Sequence, residues 1–273
     1  MLQTLKKDVY LLLHKKIFLI MLIILTLLFS YISLRDITDV YTKGYSYQHH
    51  FIIGSDYLKI SFKNGLFNLI PLLVVFPFAD TWLSERNMTD VVFTRVNKKN
   101  FFTSKYLICF LSGFLLLFIP LLISFLSEIL MLDLHTNQMT MFTYIAAENN
   151  FKELESTFTF YQLYATHPYI YILVFFAIVS TYGGLCAMLA FSISLICKQK
   201  VLTYIAVFFL SFIPNILFSF LNDPYGKWYF QALISPYNTN AKLSVWVYFV
   251  FLLMFLLIDF VLFKIYARRD PFE

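Results

Sequence analysis

The chain is expected to be an all-α polytopic membrane protein with six transmembrane helices. Three observations predict this class: six long apolar stretches, a composition 60% hydrophobic with mean hydropathy +0.72 over 273 residues, and Lys and Arg gathered on alternate connections. A stretch of roughly 20 residues crosses about 30 Å of hydrocarbon as a helix. Six such spans use most of the apolar residues and leave little chain for a second domain.

The spans are read at 17–34, 65–83, 106–132, 168–197, 201–221 and 244–263. One set of connections holds most of the 21 basic residues: Lys6, Lys7, Lys15 and Lys16, then Arg86, Arg95, Lys98, Lys99 and Lys105, then Lys198 and Lys200, and finally Lys264, Arg268 and Arg269. The other set holds Arg35, Lys43, Lys59, Lys63, Lys152, Lys227 and Lys242. Basic residues near span ends are retained in the cytoplasm, so both termini are expected to be cytoplasmic. The chain then divides into an interfacial amphipathic helix at 1–16, a six-helix transmembrane domain at 17–263 and a cytoplasmic tail at 264–273. Outside loops fall at 35–64, 133–167 and 222–243.

Residues 1–16 place Leu2, Leu5, Val9, Leu12 and Leu13 at spacings of three and four, with Lys6, Lys7 and Lys15 off that stripe. This pattern suits a helix lying at the membrane surface, its lysines among anionic headgroups. The other reading is a helical extension of the first span. The run after Lys16 ends in Leu34, Arg35 and Asp36 without a small-residue cleavage site, so it reads as a retained anchor, not a signal peptide. Cys109, Cys186 and Cys197 lie in or at the ends of spans, and no disulfide framework follows. Abundant Phe (33) and Tyr (19), with many Ile, Lys and Asn, have A/T-rich codons and point to a low-GC bacterium, hence to a bacterial cytoplasmic membrane.

Segment 84–105 is the largest cytoplasmic connection and carries Glu85, Arg86, Asp90, Arg95, Lys98, Lys99 and Lys105. Within it Met88, Val91, Val92 and Val96 recur at helical spacing, which predicts a short helix with one apolar face able to dock on a soluble partner. A topological signal needs a few lysines, not an amphipathic insert. In the loop 133–167, Phe151, Leu154, Phe158 and Tyr161 form an apolar stripe expected in a lid helix on the outer face. Gly183 and Gly184 supply the fourth span with either a kink or a close helix contact. Lys198, Gln199 and Lys200 form a tight turn that makes the fourth and fifth spans an antiparallel hairpin.

Reactive groups are sparse. No G-x-x-x-x-G-K-[ST] loop occurs, and with seven glycines no substitute phosphate cradle, so the chain does not bind ATP in that way. His49 and His50, and the D-x-x-D pair Asp36 and Asp39, lie in an outside loop with no second acidic motif. The acids inside spans are Asp80, Glu128 and Asp259. Acids in hydrocarbon are costly, so Glu128 and Asp259 are functional candidates of uncertain role. Both lie near span ends, where they are expected to reach water or a cation and act structurally.

Together these features resemble the membrane subunits of type-2 ATP-binding-cassette exporters: the interfacial N-terminal helix, six spans with both termini inside, and a cytoplasmic helix between spans two and three. Glu85 and Arg86 match that family's acid-basic pair, Arg95, Lys98 and Lys99 its following basic turn, Lys105 the start of span three, and Ser235, Pro236 and Tyr237 the segment before span six. The family often has Gly soon after the pair, where this chain has Asn87, Met88 and Thr89. The resemblance implies an ATPase-coupling segment formed by Glu85, Arg86, Val91, Val92, Arg95, Lys98, Lys99 and Lys105. It also implies a separate cytoplasmic ATP-binding subunit carrying ATP and Mg, a second permease subunit, identical or different, and no cofactor or nucleic acid on this chain. The chain would then be a non-enzymatic permease moving a hydrophobic or amphipathic cargo, such as a peptide, antibiotic or lipid. The rival is a membrane immunity or sensor protein that binds a peptide through its outside loops. An intramembrane enzyme is disfavoured by the missing paired acids, histidines and nucleophile elbow.

Overall fold

A computed structural model describes residues 2–43, 66–77, 97–131, 160–197, 199–220 and 245–268. These residues form α1 (Leu2–His14), α2 (Lys16–Lys43), α3 (Leu66–Val75), α4 (Lys98–Met131), α5 (Tyr161–Thr166), α6 (Pro168–Ile196), α7 (Lys200–Phe220) and α8 (Val245–Arg268). No strand occurs among them. The all-helical class is as expected.

Three of these helices are long and apolar enough to cross a membrane: α4 over Asn100–Ser127, α6 over Tyr169–Ile196 and α8 over Tyr248–Tyr266. A fourth span results if the pair Leu5–His14 and Lys16–Ile32, bent by 58°, is counted as one. The remaining apolar stretches are represented in part, by α3 and by the short apolar helix Lys200–Leu210 within α7.

α4 and α6 are the central pair. α1 and α2 pack on α4, while α3, α7 and α8 pack on α6, and α3 also touches α4 and α7. This order follows from side-chain size and polarity along each helix. α6 buries Tyr171, Phe175, Phe176, Val179, Ala187, Ala190 and Phe191, and 67% of its span lies inside the bundle, against 17% for α8. α8 and α2 turn large apolar side chains outward, among them Phe249, Leu253 and Leu257 on α8 and Ile20, Ile23 and Leu27 on α2. An apolar outer face is stable in lipid and unfavourable in water.

The α4–α6 crossing depends on glycine. A Cβ at Gly113 would stand 2.5 Å from the Gly183 carbonyl oxygen, and one at Gly184 would stand 2.7 Å from the Phe110 ring. The pair Gly183 and Gly184 therefore serves close backbone approach, and α6 runs through it unbroken from Pro168 to Ile196. Pro168 occupies the first turn of α6, where its missing N–H removes no hydrogen bond. At the other end the Cys197 N–H bonds to the Ile193 carbonyl at 2.8 Å and the backbone turns extended.

Two expectations are corrected. Residues 35–43, read as outside loop, continue α2, because no Gly or Pro interrupts the sequence before Gly44. The helix read as the third span begins at Lys98, not at residue 106, so Lys98, Lys99 and Lys105 lie on its first turns. Asn97 to Lys105 holds no helix breaker, and the charges do not stop the helix. α1 meets the bundle through Leu12 and Asp8, 1% and 6% exposed, while Lys6 and Lys7 face out.

The predicted docking helix at Glu85, Arg86, Val91, Val92 and Arg95 lies outside the described residues, as do Asp80, His49, His50, Phe151, Leu154, Phe158 and Ser235 to Tyr237. The expected lid is represented by its last residue alone, Tyr161, which opens α5 after Phe160 in left-handed conformation, φ 56. The Phe160 ring rests between Phe175 and Tyr248, at 6.2 and 5.8 Å, which joins α5 to α6 and α8.

Candidate functional site

The start of α4 carries Ser104, Lys105 and Tyr106 in succession, and successive helical residues point about 100° apart. One side of this triplet therefore meets α1 and the next meets α6. Lys105 Nζ donates to Asp8 Oδ1 at 3.1 Å, and Ser104 Oγ donates to Asp8 Oδ2 at 2.8 Å. The two charged side chains are 5% and 8% exposed. Lys105 also stands 5.4 Å from the centre of the Phe101 ring. Both carboxylate oxygens are thus satisfied across a sequence separation of 97 residues. Lys105, expected at the start of span three as the last residue of the coupling segment, is buried in a clasp between α1 and α4.

On the adjoining side, Ser192 Oγ of α6 donates to Asp259 Oδ1 of α8 at 2.6 Å. The Tyr106 hydroxyl lies 2.9 Å from the same Ser192 oxygen. A serine hydroxyl has a single proton, so when Ser192 donates to Asp259 the Tyr106 hydroxyl is the donor to Ser192. This chain ties α4, α6 and α8 together. Phe191 and Phe263 meet the Tyr106 ring edge-on at 5.0 and 6.1 Å and close the chain from its surroundings.

Asp259 is 4% exposed, and its Oδ2 is buried with no hydrogen-bond partner among the described residues. The expectation that it reaches water or a cation is corrected. α8 continues past the predicted end to Arg268, which places Asp259 roughly two and a half turns inside it. Glu128 is on the last turn of α4, but its side chain, like those of Lys98 and Lys99, lies outside what the structure describes.

Beside this chain a cavity of about 300 Å³ opens between α6 and α8, lined by Val174, Ala177, Ile178, Thr181, Tyr182, Leu185, Tyr248, Phe251, Leu252 and Phe255. Its volume is at the low end for small-molecule sites, and its walls are apolar apart from Thr181 and the two tyrosines. It can hold an apolar group in a membrane-level recess.

Asp8, Ser104, Tyr106 and Ser192 were missed in the sequence. Asp8 had a legible signal: it is the single acid before Asp36, and it lies three residues after Leu5 and four before Leu12, on the apolar stripe. Ser192 and Tyr106 had none, because serine and tyrosine are ordinary residues in apolar helices. Comparison of the chain with protein-family models, curated proteins and solved structures finds no match.

Proposed function

We propose that this chain is the permease subunit of an ATP-driven exporter in a bacterial cytoplasmic membrane, moving a hydrophobic or amphipathic cargo such as a peptide, antibiotic or lipid. In this reading six spans place both termini in the cytoplasm. Segment 84–105 docks on a separate ATPase that binds ATP and Mg, and a second permease subunit completes the path.

The observation that carries the reading is the double attachment at the base of α4. The segment proposed to receive force from the ATPase runs directly into Ser104, Lys105 and Tyr106, which hold α1 through Asp8 and α6 and α8 through Ser192 and Asp259. A push delivered there is shared by four helices, the requirement for rigid-body rocking of a membrane half. The apolar recess between α6 and α8 supports an apolar cargo over a small ion.

Val91 and Val92 would fill a groove on the ATPase, with Glu85 and Arg86 orienting the segment and Arg95, Lys98 and Lys99 at its rim. Buried anchors dominate binding, while rim charges set rate and salt dependence. The chain purified alone is expected to hydrolyse no ATP, and an ATPase is expected to copurify from native membranes. Replacing Val91 and Val92 together with Asp should abolish that association while insertion is retained, whereas Lys98→Ala should change little at physiological salt. Hydrolysis by the isolated chain, or an intact complex after the double replacement, sinks the subunit reading.

Topology gives a separate check. Cysteines placed at Ser46 and Asn149 should react with an impermeant reagent from outside, and cysteines at Asn97 and Glu273 should not. The opposite pattern would put the proposed docking segment on the wrong side.

A further inference from the structure

The geometry points to a proton-binding site inside the bundle: the Asp259 carboxyl carries a proton and is held, neutral, by its hydrogen bond with Ser192, which Tyr106 extends. Asp259 is 4% exposed, and among the described residues its sole polar contact is Ser192. An ionised carboxylate in such a place needs a cation or several donors. Neither is at hand. Lys105, one residue before Tyr106, is turned to Asp8, and Lys264 on α8 lies over the Phe260 ring at 4.8 Å. The titratable groups that sense Asp259 from the helices packed on it are Tyr106 and Cys109 on α4 and Cys186 on α6. None is a cation.

Oδ1 stands 2.6 Å from Ser192 Oγ, which stands 2.9 Å from the Tyr106 hydroxyl, so a neutral carboxyl has a hydroxyl partner that can either receive the acid's proton or donate to its carbonyl oxygen. Oδ2 is buried without a partner among the described residues, a place that suits an uncharged oxygen and not half of a carboxylate. The ligand is a hydron and not a metal ion, since one carboxyl and one hydroxyl leave a desolvated metal ion far short of the six or more oxygens it seeks. This inference is independent of the exporter reading.

Infrared difference spectroscopy of the full chain in lipid nanodiscs tests it. At neutral pH the wild type is expected to show a carboxylic-acid C=O band that moves on isotopic labelling of the aspartate carboxyl and is lost in Asp259→Asn. Ser192→Ala should move the same band to higher frequency, because the carboxyl loses its hydrogen-bond partner. If Asp259→Asn removes a carboxylate stretch instead, or a sodium-sensitive one, the site holds an ion pair or a metal cation and the inference fails. Should Asp259→Asn not fold, an acid region unchanged by Ser192→Ala overturns it equally.

Discussion

Lys105→Met is expected to lower the unfolding free energy by about 3–5 kcal/mol, the cost of leaving a buried charge without its partner. The replacement keeps length and apolar stem, so what it removes is the ammonium that meets Asp8 at 3.1 Å. Ser104 alone then faces a carboxylate that is 8% exposed. Asp8→Asn in the same chain should recover most of the loss, because the double variant buries no charge. A solvated pair would instead give about 0–1 kcal/mol for the single change and no recovery. Lys264→Met is the control, since an exposed ammonium over the Phe260 ring should contribute about 0.5–1 kcal/mol. Denaturant unfolding in mixed micelles reads all four proteins. A single-variant loss equal to the control's would mean that the clasp does not hold α1 to α4.

Gly113→Ala should be destabilising although alanine is the better helix former. The propensity gain is about 1 kcal/mol. Against it, the new methyl would lie 2.5 Å from the Gly183 carbonyl oxygen and 2.9 Å from the Ala187 Cβ. The first is backbone of α6 and cannot rotate away, so the helices must separate, and overpacking of this kind costs about 1–3 kcal/mol. At Gly183 the nearest atom to a new methyl is the Leu117 Cδ1 tip, also at 2.5 Å, which a rotamer change can move. Gly113→Ala is therefore expected to lose more stability than Gly183→Ala in the same assay. The reverse order would show that α4 and α6 have room to slide.

Hydropathy sums over a window and owes little to distant contacts, which is why the fourth span, read at 168–197, matches α6 at Pro168–Ile196 so closely. The fifth and sixth starts are matched within a residue by α7 at Lys200 and α8 at Val245 for the same reason. Helix ends in polar sequence were read less well. At 35–43 charge was taken as loop and at 98–105 as a connection ahead of the span, yet charge does not break a helix; Gly and Pro do, and neither region has one.

By itself the sequence determined the helical class, the apolar stretches and the small-residue signature that allowed α4 and α6 to meet, because each is a local property of consecutive side chains. Only the tertiary structure decided what the polar residues do. Lys105 reads in sequence as one more cytoplasmic cation, and it becomes a buried partner because α1 folds back on α4 and brings Asp8 to it across 97 positions. Asp259 reads as an acid close to a water-facing end, and it becomes an enclosed carboxyl because α6 sets Ser192 against it from 67 positions away. A hydrogen bond needs two atoms within about 3 Å, and which atoms come that near is settled by helix packing, to which spacing along the chain is blind.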